Sequence, residues 1–268
     1  MKKTARKFLK FSVVNLSAAA LCLIVGLGAP SGARADEADA RKLFKAMSDY
    51  MVSQKTISLQ YDTILEIVTK DKQKLGLASS GKATLNRPDK IRVTRTGGFA
   101  DVEFLFDGKT MTLLGKTANV YGQLEVPGTI DHLIDELRNK GRPVPGGDLL
   151  LSNVYGKLMA TVVNVKDLGS GVIGGVECDH LAFRTKEVDW QIWISQGSRP
   201  YPCRYVITST KVAQAPQYSI TIRDWKTGDK VGSENFSFKN ATSAKKMDLT
   251  DLPDIDELPN IFAVGGRK

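Results

Sequence analysis

The chain has 268 residues, 42% hydrophobic and 25% charged, with 24 glycines, 10 prolines and three cysteines. These proportions exclude a collagen-like, a wholly disordered and a disulfide-dense chain. The formal charge of +9 points to nucleic acid only until it is located: six of the basic residues (Lys2, Lys3, Arg6, Lys7, Lys10, Arg34) fall in residues 1–35 without an acid, leaving +3 on residues 36–268. No nucleic-acid partner is expected from that remainder.

Residues 1–35 read as a secretory signal. A basic start leads into an apolar run from Phe11 to Leu27, then breakers at Gly28-Ala29-Pro30-Ser31-Gly32 and an Ala33-Arg34-Ala35 ending. The run is at the lower limit for a membrane span. The small residues at Ala33 and Ala35, followed by Asp36-Glu37, favour cleavage after Ala35. Cys22 follows Leu21 rather than a small residue, which argues against lipid modification there. The chain is therefore expected to be exported and soluble after cleavage, with Cys178 and Cys203 as its remaining cysteines. An oxidising compartment allows these two to pair as a disulfide worth roughly 3–4 kcal/mol.

Next, residues 38–53 place Leu43, Phe44, Met47, Tyr50 and Met51 on one helical stripe. The period then changes to two. Ile57, Leu59, Tyr61, Leu65 and Ile67 share one strand face, and strand-like runs follow at 77–86, 90–96, 101–107, 110–115 and 118–125. Lys70, Lys72 and Lys74 mark a solvated hairpin tip, where lysines also discourage edge-to-edge pairing. Thr129 caps a predicted helix carrying Ile130, Leu133, Ile134 and Leu137; after a Gly-Pro-rich link, Asp148 is the candidate cap of a second helix. Strands resume at 161–168, 176–186, 188–195, 203–209, 217–226 and 231–239. Residues 248–268 read as an acidic, loosely ordered tail, so the folded domain is set at 36–247.

Strand following strand through short turns argues antiparallel pairing, and one-sided alternation argues a sheet with one wet face. The fold class expected is mainly β with α: an unclosed antiparallel half-barrel of about eleven strands, with helices as a lid over the concave apolar face.

No motif selects a reaction. Gly169-Ser170-Gly171-Val172-Ile173-Gly174 has the letters of a dinucleotide fingerprint but is followed by a strand, whereas the pyrophosphate site needs a helix N-terminus. His132 and His180 each sit beside an aspartate as in surface ion pairs, and Asp254, Asp256 and Glu257 lie in the polar tail. No metal ligands, cofactor or catalytic residues are assigned, and the protein is read as a non-enzyme.

A set of residues in a fixed order adds to this reading. It comprises Gly81-Lys82-Ala83-Thr84-Leu85-Asn86-Arg87-Pro88-Asp89-Lys90-Ile91-Arg92-Val93, Phe106-Asp107-Gly108-Lys109-Thr110-Met111, Tyr121 and Pro127-Gly128-Thr129-Ile130-Asp131. The order resembles the periplasmic lipoprotein-carrier superfamily and, within it, the family of predicted periplasmic proteins DUF2092. Cys178-Asp179-His180-Leu181-Ala182-Phe183-Arg184 and Trp190-Gln191-Ile192-Trp193-Ile194 fit the same family. The resemblance implies an open barrel with a helical lid over a hydrophobic cavity, and a lid-holding role for the arginine of the Arg-Pro turn, which is Arg87 here. It spans nearly all of residues 37–245 but departs from the carrier itself in length, in the cysteine pair and in lacking paired prolines, where Lys239-Asn240-Ala241 stands.

Together these readings predict a monomeric binder or carrier of acyl chains, from a lipid or an acylated protein. The expected cavity lining is Leu59, Tyr61, Leu65, Ile91, Val93, Phe104, Phe106, Ile130, Leu133 and Leu137. The resemblance also implies an alternative, a sensor or adaptor that docks a periplasmic or membrane protein partner on the barrel face.

Overall fold

The computed structural model describes residues 37–98, 101–142, 144–249 and 252. The signal segment and most of the tail lie outside these residues. Helix α1 (Glu37–Ser53) leads into a six-strand meander: β1 (Thr56–Val68), β2 (Lys74–Asn86), β3 (Lys90–Gly97), β4 (Asp101–Phe106), β5 (Thr110–Gly115) and β6 (Val120–Glu125). Helix α2 (Ile130–Asn139), a 3-10 turn at Gly147–Leu150 and α3 (Val154–Met159) form the insert. A second meander follows: β7 (Asn164–Ile173), β8 (Val176–Arg184), β9 (Val188–Ser195), β10 (Pro202–Ser209) and β11 (Gln217–Thr227).

The last strand, β12 (Lys245–Lys246), has two residues and pairs parallel with β6. The two meanders join where β11 pairs antiparallel with β1, making one sheet of order β12-β6-β5-β4-β3-β2-β1-β11-β10-β9-β8-β7. Edges β12 and β7 are not paired with each other, so the sheet is an open half-barrel, as expected.

Hairpin chemistry explains the tight connections. Gly174 and Gly175, at φ 58° and 83°, fill the two-residue turn between β7 and β8, a conformation in which a Cβ is strained. The glycine-rich run that has dinucleotide-fingerprint letters is thus a bulged strand and its hairpin. Lys72 turns the β1–β2 tip at φ 69°, and Lys74 pairs with Glu66 at 3.2 Å.

Two expectations are corrected. Residues 231–239 form no strand; they run extended over the outer face, with Glu234, Phe236 and Phe238 half-buried. Arg92 holds Glu234 at 2.9 Å, and the Phe238 ring lies 4.8 Å from that of Tyr121. Alternation here comes from an extended chain lying across a sheet rather than pairing in it. Asp148 does not cap α3 but lies inside the 3-10 turn, and Asn153 caps instead, its side chain accepting from Gly156 N at 2.9 Å.

The concave face divides into a filled half and a hollow half. Over β7–β10, α1 delivers Phe44, whose ring lies 5.2 Å from Phe183 and 5.3 Å from Trp190; these two stack at 3.8 Å, and Tyr205 meets Trp190 edge-on. Phe44, Met47 and Met51 are buried, each worth about 1.5–3 kcal/mol. Over β1–β5 no aromatic helix face descends, and space remains. No helix among the described residues is long and apolar enough to cross a membrane.

Candidate functional site: a lidded apolar cavity

The hollow half holds a cavity of about 270 Å³, just under the usual ligand-pocket range of about 300–1,000 Å³. Register builds its wall in rows. Leu59 pairs with Ala83, Ala83 with Val93, Val93 with Phe104 and Phe104 with Leu113, so one hydrocarbon row crosses five strands. The next row runs Tyr61, Gly81, Arg95, Val102. A methyl group at Gly81 would collide with the Thr94 carbonyl and the Tyr61 ring. Its absence lets Tyr61 lie across β2 and donate its hydroxyl to Thr94 O at 2.9 Å. One row further, the Thr63 and Ser79 hydroxyls hydrogen-bond at 2.6 Å. The wall therefore passes from hydrocarbon to polar along the strands.

Helix α2 forms the roof. Ile130, Leu133, Ile134 and Leu137 fall at helical spacing and are buried, while Thr129 Oγ1 accepts from His132 N at 3.2 Å to cap the start. Asp131 in its first turn and Arg138 in its last complement the helix dipole. Arg138 also donates to Asp148 at 2.7 Å, tying the end of the helix to the 3-10 turn beside it.

The Arg87-Pro88 turn holds both pieces of the roof. Arg87 Nη1 donates to the Leu150 carbonyl at 2.7 Å, and the Pro88 carbonyl accepts from Ile130 N at 2.9 Å. Asp131, which accepts from Ser152 N and Oγ at 3.0 and 2.6 Å, faces the guanidinium. Burial lowers the Arg87 pKa from its ordinary value, and the Asp131 charge opposes that shift. Nε and Nη2 of Arg87 are buried without a hydrogen bond among the described residues. The latch therefore consists of one charge-assisted bond and one ion attraction.

Eight of the ten expected lining residues meet around the cavity: Leu59, Tyr61, Ile91, Val93, Phe104, Ile130, Leu133 and Leu137. Phe106 is instead fully buried in packed core, and Leu65 lies two rows beyond Tyr61, outside the lining. Sequence reasoning missed Met51, the β11 residues Ile220 and Ile222, the loop 144–150 and Arg95, all of which contribute to the lining. The period-two run Ile91, Val93, Arg95 was the available signal for the last.

Cys178 and Cys203 are buried free thiols; Cys178 Sγ donates to the Val176 carbonyl at 3.4 Å and Cys203 Sγ to the Tyr201 carbonyl at 4.0 Å. They sit on β8 and β10, either side of β9; Cys178 is opposite Ser195, and Cys203 lies in the register shift between Pro202 and Arg204. Burial raises both thiol pKa values. His180 stacks on Trp193 at 4.0 Å and shares a 2.9 Å hydrogen bond with Gln191; burial lowers its pKa. His132 is exposed on α2. Among the described residues, no group of three or more His, Cys, Asp or Glu is placed to hold a metal ion.

The chain is similar to a number of solved structures. It is 14% identical to lipoprotein LppX of Mycobacterium tuberculosis, covering 75% of this chain and 100% of that one at a TM-score of 0.49. Against the MucA/MucB complex of Pseudomonas aeruginosa the figures are 12%, 75%, 61% and 0.44. Against a putative outer membrane lipoprotein-sorting protein domain from Vibrio parahaemolyticus they are 7%, 74%, 95% and 0.34. No curated protein matches. Residues 40–250 match the family described as predicted periplasmic protein (DUF2092), a span that takes in both meanders, the lid and the latch. The chain belongs to that family and is a periplasmic protein.

Proposed function

We propose that the protein is a non-enzymatic, monomeric binder or carrier of acyl chains, which enter the half-barrel cavity beneath α2 and the 144–150 loop. Residues 1–35 act as a signal removed after Ala35, delivering the domain to the periplasm. The observation that carries the reading is the lidded cavity itself: among the described residues all but one of its lining side chains are uncharged, and most are hydrocarbon. Transfer of a methylene out of water is worth about 0.8 kcal/mol. A sixteen-carbon chain therefore gains on the order of 12 kcal/mol as an upper limit, enough to make a carrier necessary between two membranes. The latch supplies the reversible element, because a single charge-assisted bond can open without dismantling the core.

Titration of the purified domain with a fluorescent fatty acid tests this. Saturable one-to-one binding is expected in wild type, and loss of it in Ala83→Trp, whose indole would occupy the cavity from the middle of the hydrocarbon row. Overpacking of this kind costs about 1–3 kcal/mol, so the variant should remain folded. Absence of saturable binding in wild type, or unchanged binding in a folded Ala83→Trp, would reject the cavity as the site.

A further inference from the structure

The hydrocarbon row of the wall runs on past the cavity. Leu113, where the lining ends on β5, pairs in register with Gly122 of β6. Tyr121 turns outward, where its ring meets that of Phe238, so Gly122 belongs to the inner face. The cover over that glycine comes from the far end of the chain. A methyl group at Gly122 would lie 2.7 Å from Leu249 Cδ2 and 3.0 Å from Leu252 Cδ1, so both leucines rest directly on bare backbone. Glycine inside a strand marks close approaches of this kind. The leucines reach it because β12 runs along the edge of β6 and Met247 N donates to Tyr121 O at 2.9 Å. Beyond that bond the chain turns inward, and Leu249 packs against the core together with Leu113.

We propose that Leu249 and Leu252 form a displaceable stopper: at rest they fill the place over Gly122 that the end of a long acyl chain takes when it binds. This inference rests on the acyl-chain reading above and deepens it, by assigning the residues that sort ligands by chain length. Two leucine side chains offer the wall the same hydrocarbon contact as an alkyl chain, so either can cover the glycine and keep it from water. The segment that carries them is lightly held. Strand β12 has two residues, its ladder bonds run from Lys245 N to Asn119 O and from Met247 N to Tyr121 O, and Lys245, Lys246 and Asp248 are exposed. Four strand spacings, about 19 Å, separate Leu59 from Leu113, and the place over Gly122 adds about 5 Å. An octanoyl chain fits within the first length. An extended hexadecanoate with its head group overruns it and needs the second.

Calorimetric titration of the mature protein with octanoate and hexadecanoate, in wild type and in Leu249→Ser/Leu252→Ser, measures this sorting. Octanoate should bind both proteins alike. Hexadecanoate should bind the variant about tenfold more tightly, the factor expected if the leucines leave the wild-type row about one-tenth of the time. Amide exchange in wild type gives a second reading that decides the matter even if the variant fails to fold. Saturating hexadecanoate should quicken exchange of the Met247 amide, and octanoate should leave it unchanged. Equal hexadecanoate affinity in wild type and a folded variant, or a gain shared by octanoate, would overturn the stopper and leave the acyl cavity standing. Met247 exchange that bound hexadecanoate does not quicken would overturn it too. If neither acid binds either protein, both readings fall together.

Discussion

Arg87 shows how much one side chain at a turn can control. Its Nη1 bond to Leu150 reaches from the rim of the sheet to the turn that completes the roof, and the neighbouring Pro88 carbonyl holds the first amide of α2. Loss of a charge-assisted bond of this kind costs about 1.5–3 kcal/mol, enough to shift a lid equilibrium by tenfold or more. In Arg87→Leu, hydrogen exchange should quicken across residues 130–159 and stay unchanged over β8–β10, with faster release of bound fatty acid. Exchange in the lid that matches wild type would mean that Arg87 is only a turn residue. The position was legible because the Arg-Pro motif and the order of elements around it resemble a known superfamily. Its partners, Leu150 and Asp131, were not, since 63 and 44 residues of chain separate them from Arg87 and only tertiary packing brings them near. Arg95 was legible in principle, from the alternation of β3, but a charge on an inward face reads as strand-end polarity until the opposite wall is known.

At the scale of elements, alternation between buried and exposed residues located β1 to β11 well, because a sheet wet on one face imposes that period. The same period misplaced residues 231–239, since alternation reports an extended backbone over a surface and says nothing about ladder partners. The cysteines present a related problem of register. Their strands flank β9, and at regular spacing such backbones are about 9–10 Å apart, more than a disulfide spans. Cys203 falls in the register shift between Pro202 and Arg204, where that regular spacing does not hold. The prediction is that protein taken from the periplasm, unfolded without reductant, shows no titratable thiol, and that reduction lowers its stability by about 3 kcal/mol. Two free thiols would show instead that the pair stays reduced. Raised thiol pKa values make thiolate-dependent exchange slow in the folded state, so the bridge would have to form during folding.

For the whole molecule, the division of the concave face decides function. Both halves have the same strand pattern, and no periodicity distinguishes a cavity from a core; what differs is the bulk that the covering helix delivers. Phe44 of α1 meets Phe183 and Trp190 over one half, whereas α2 sets Leu133 and Leu137 over the other and leaves about 270 Å³ open. Phe106 illustrates the boundary: it shares a face with Phe104, yet it is packed where Phe104 is not. Native mass spectrometry of the protein purified from its own periplasm without detergent tests the account most directly. The predicted result is a chain beginning at Asp36 that carries one acyl-bearing molecule, released on activation and absent from Ala83→Trp. A chain that carries no lipid, or that instead co-purifies in fixed ratio with a protein while its cavity remains empty, would contradict it.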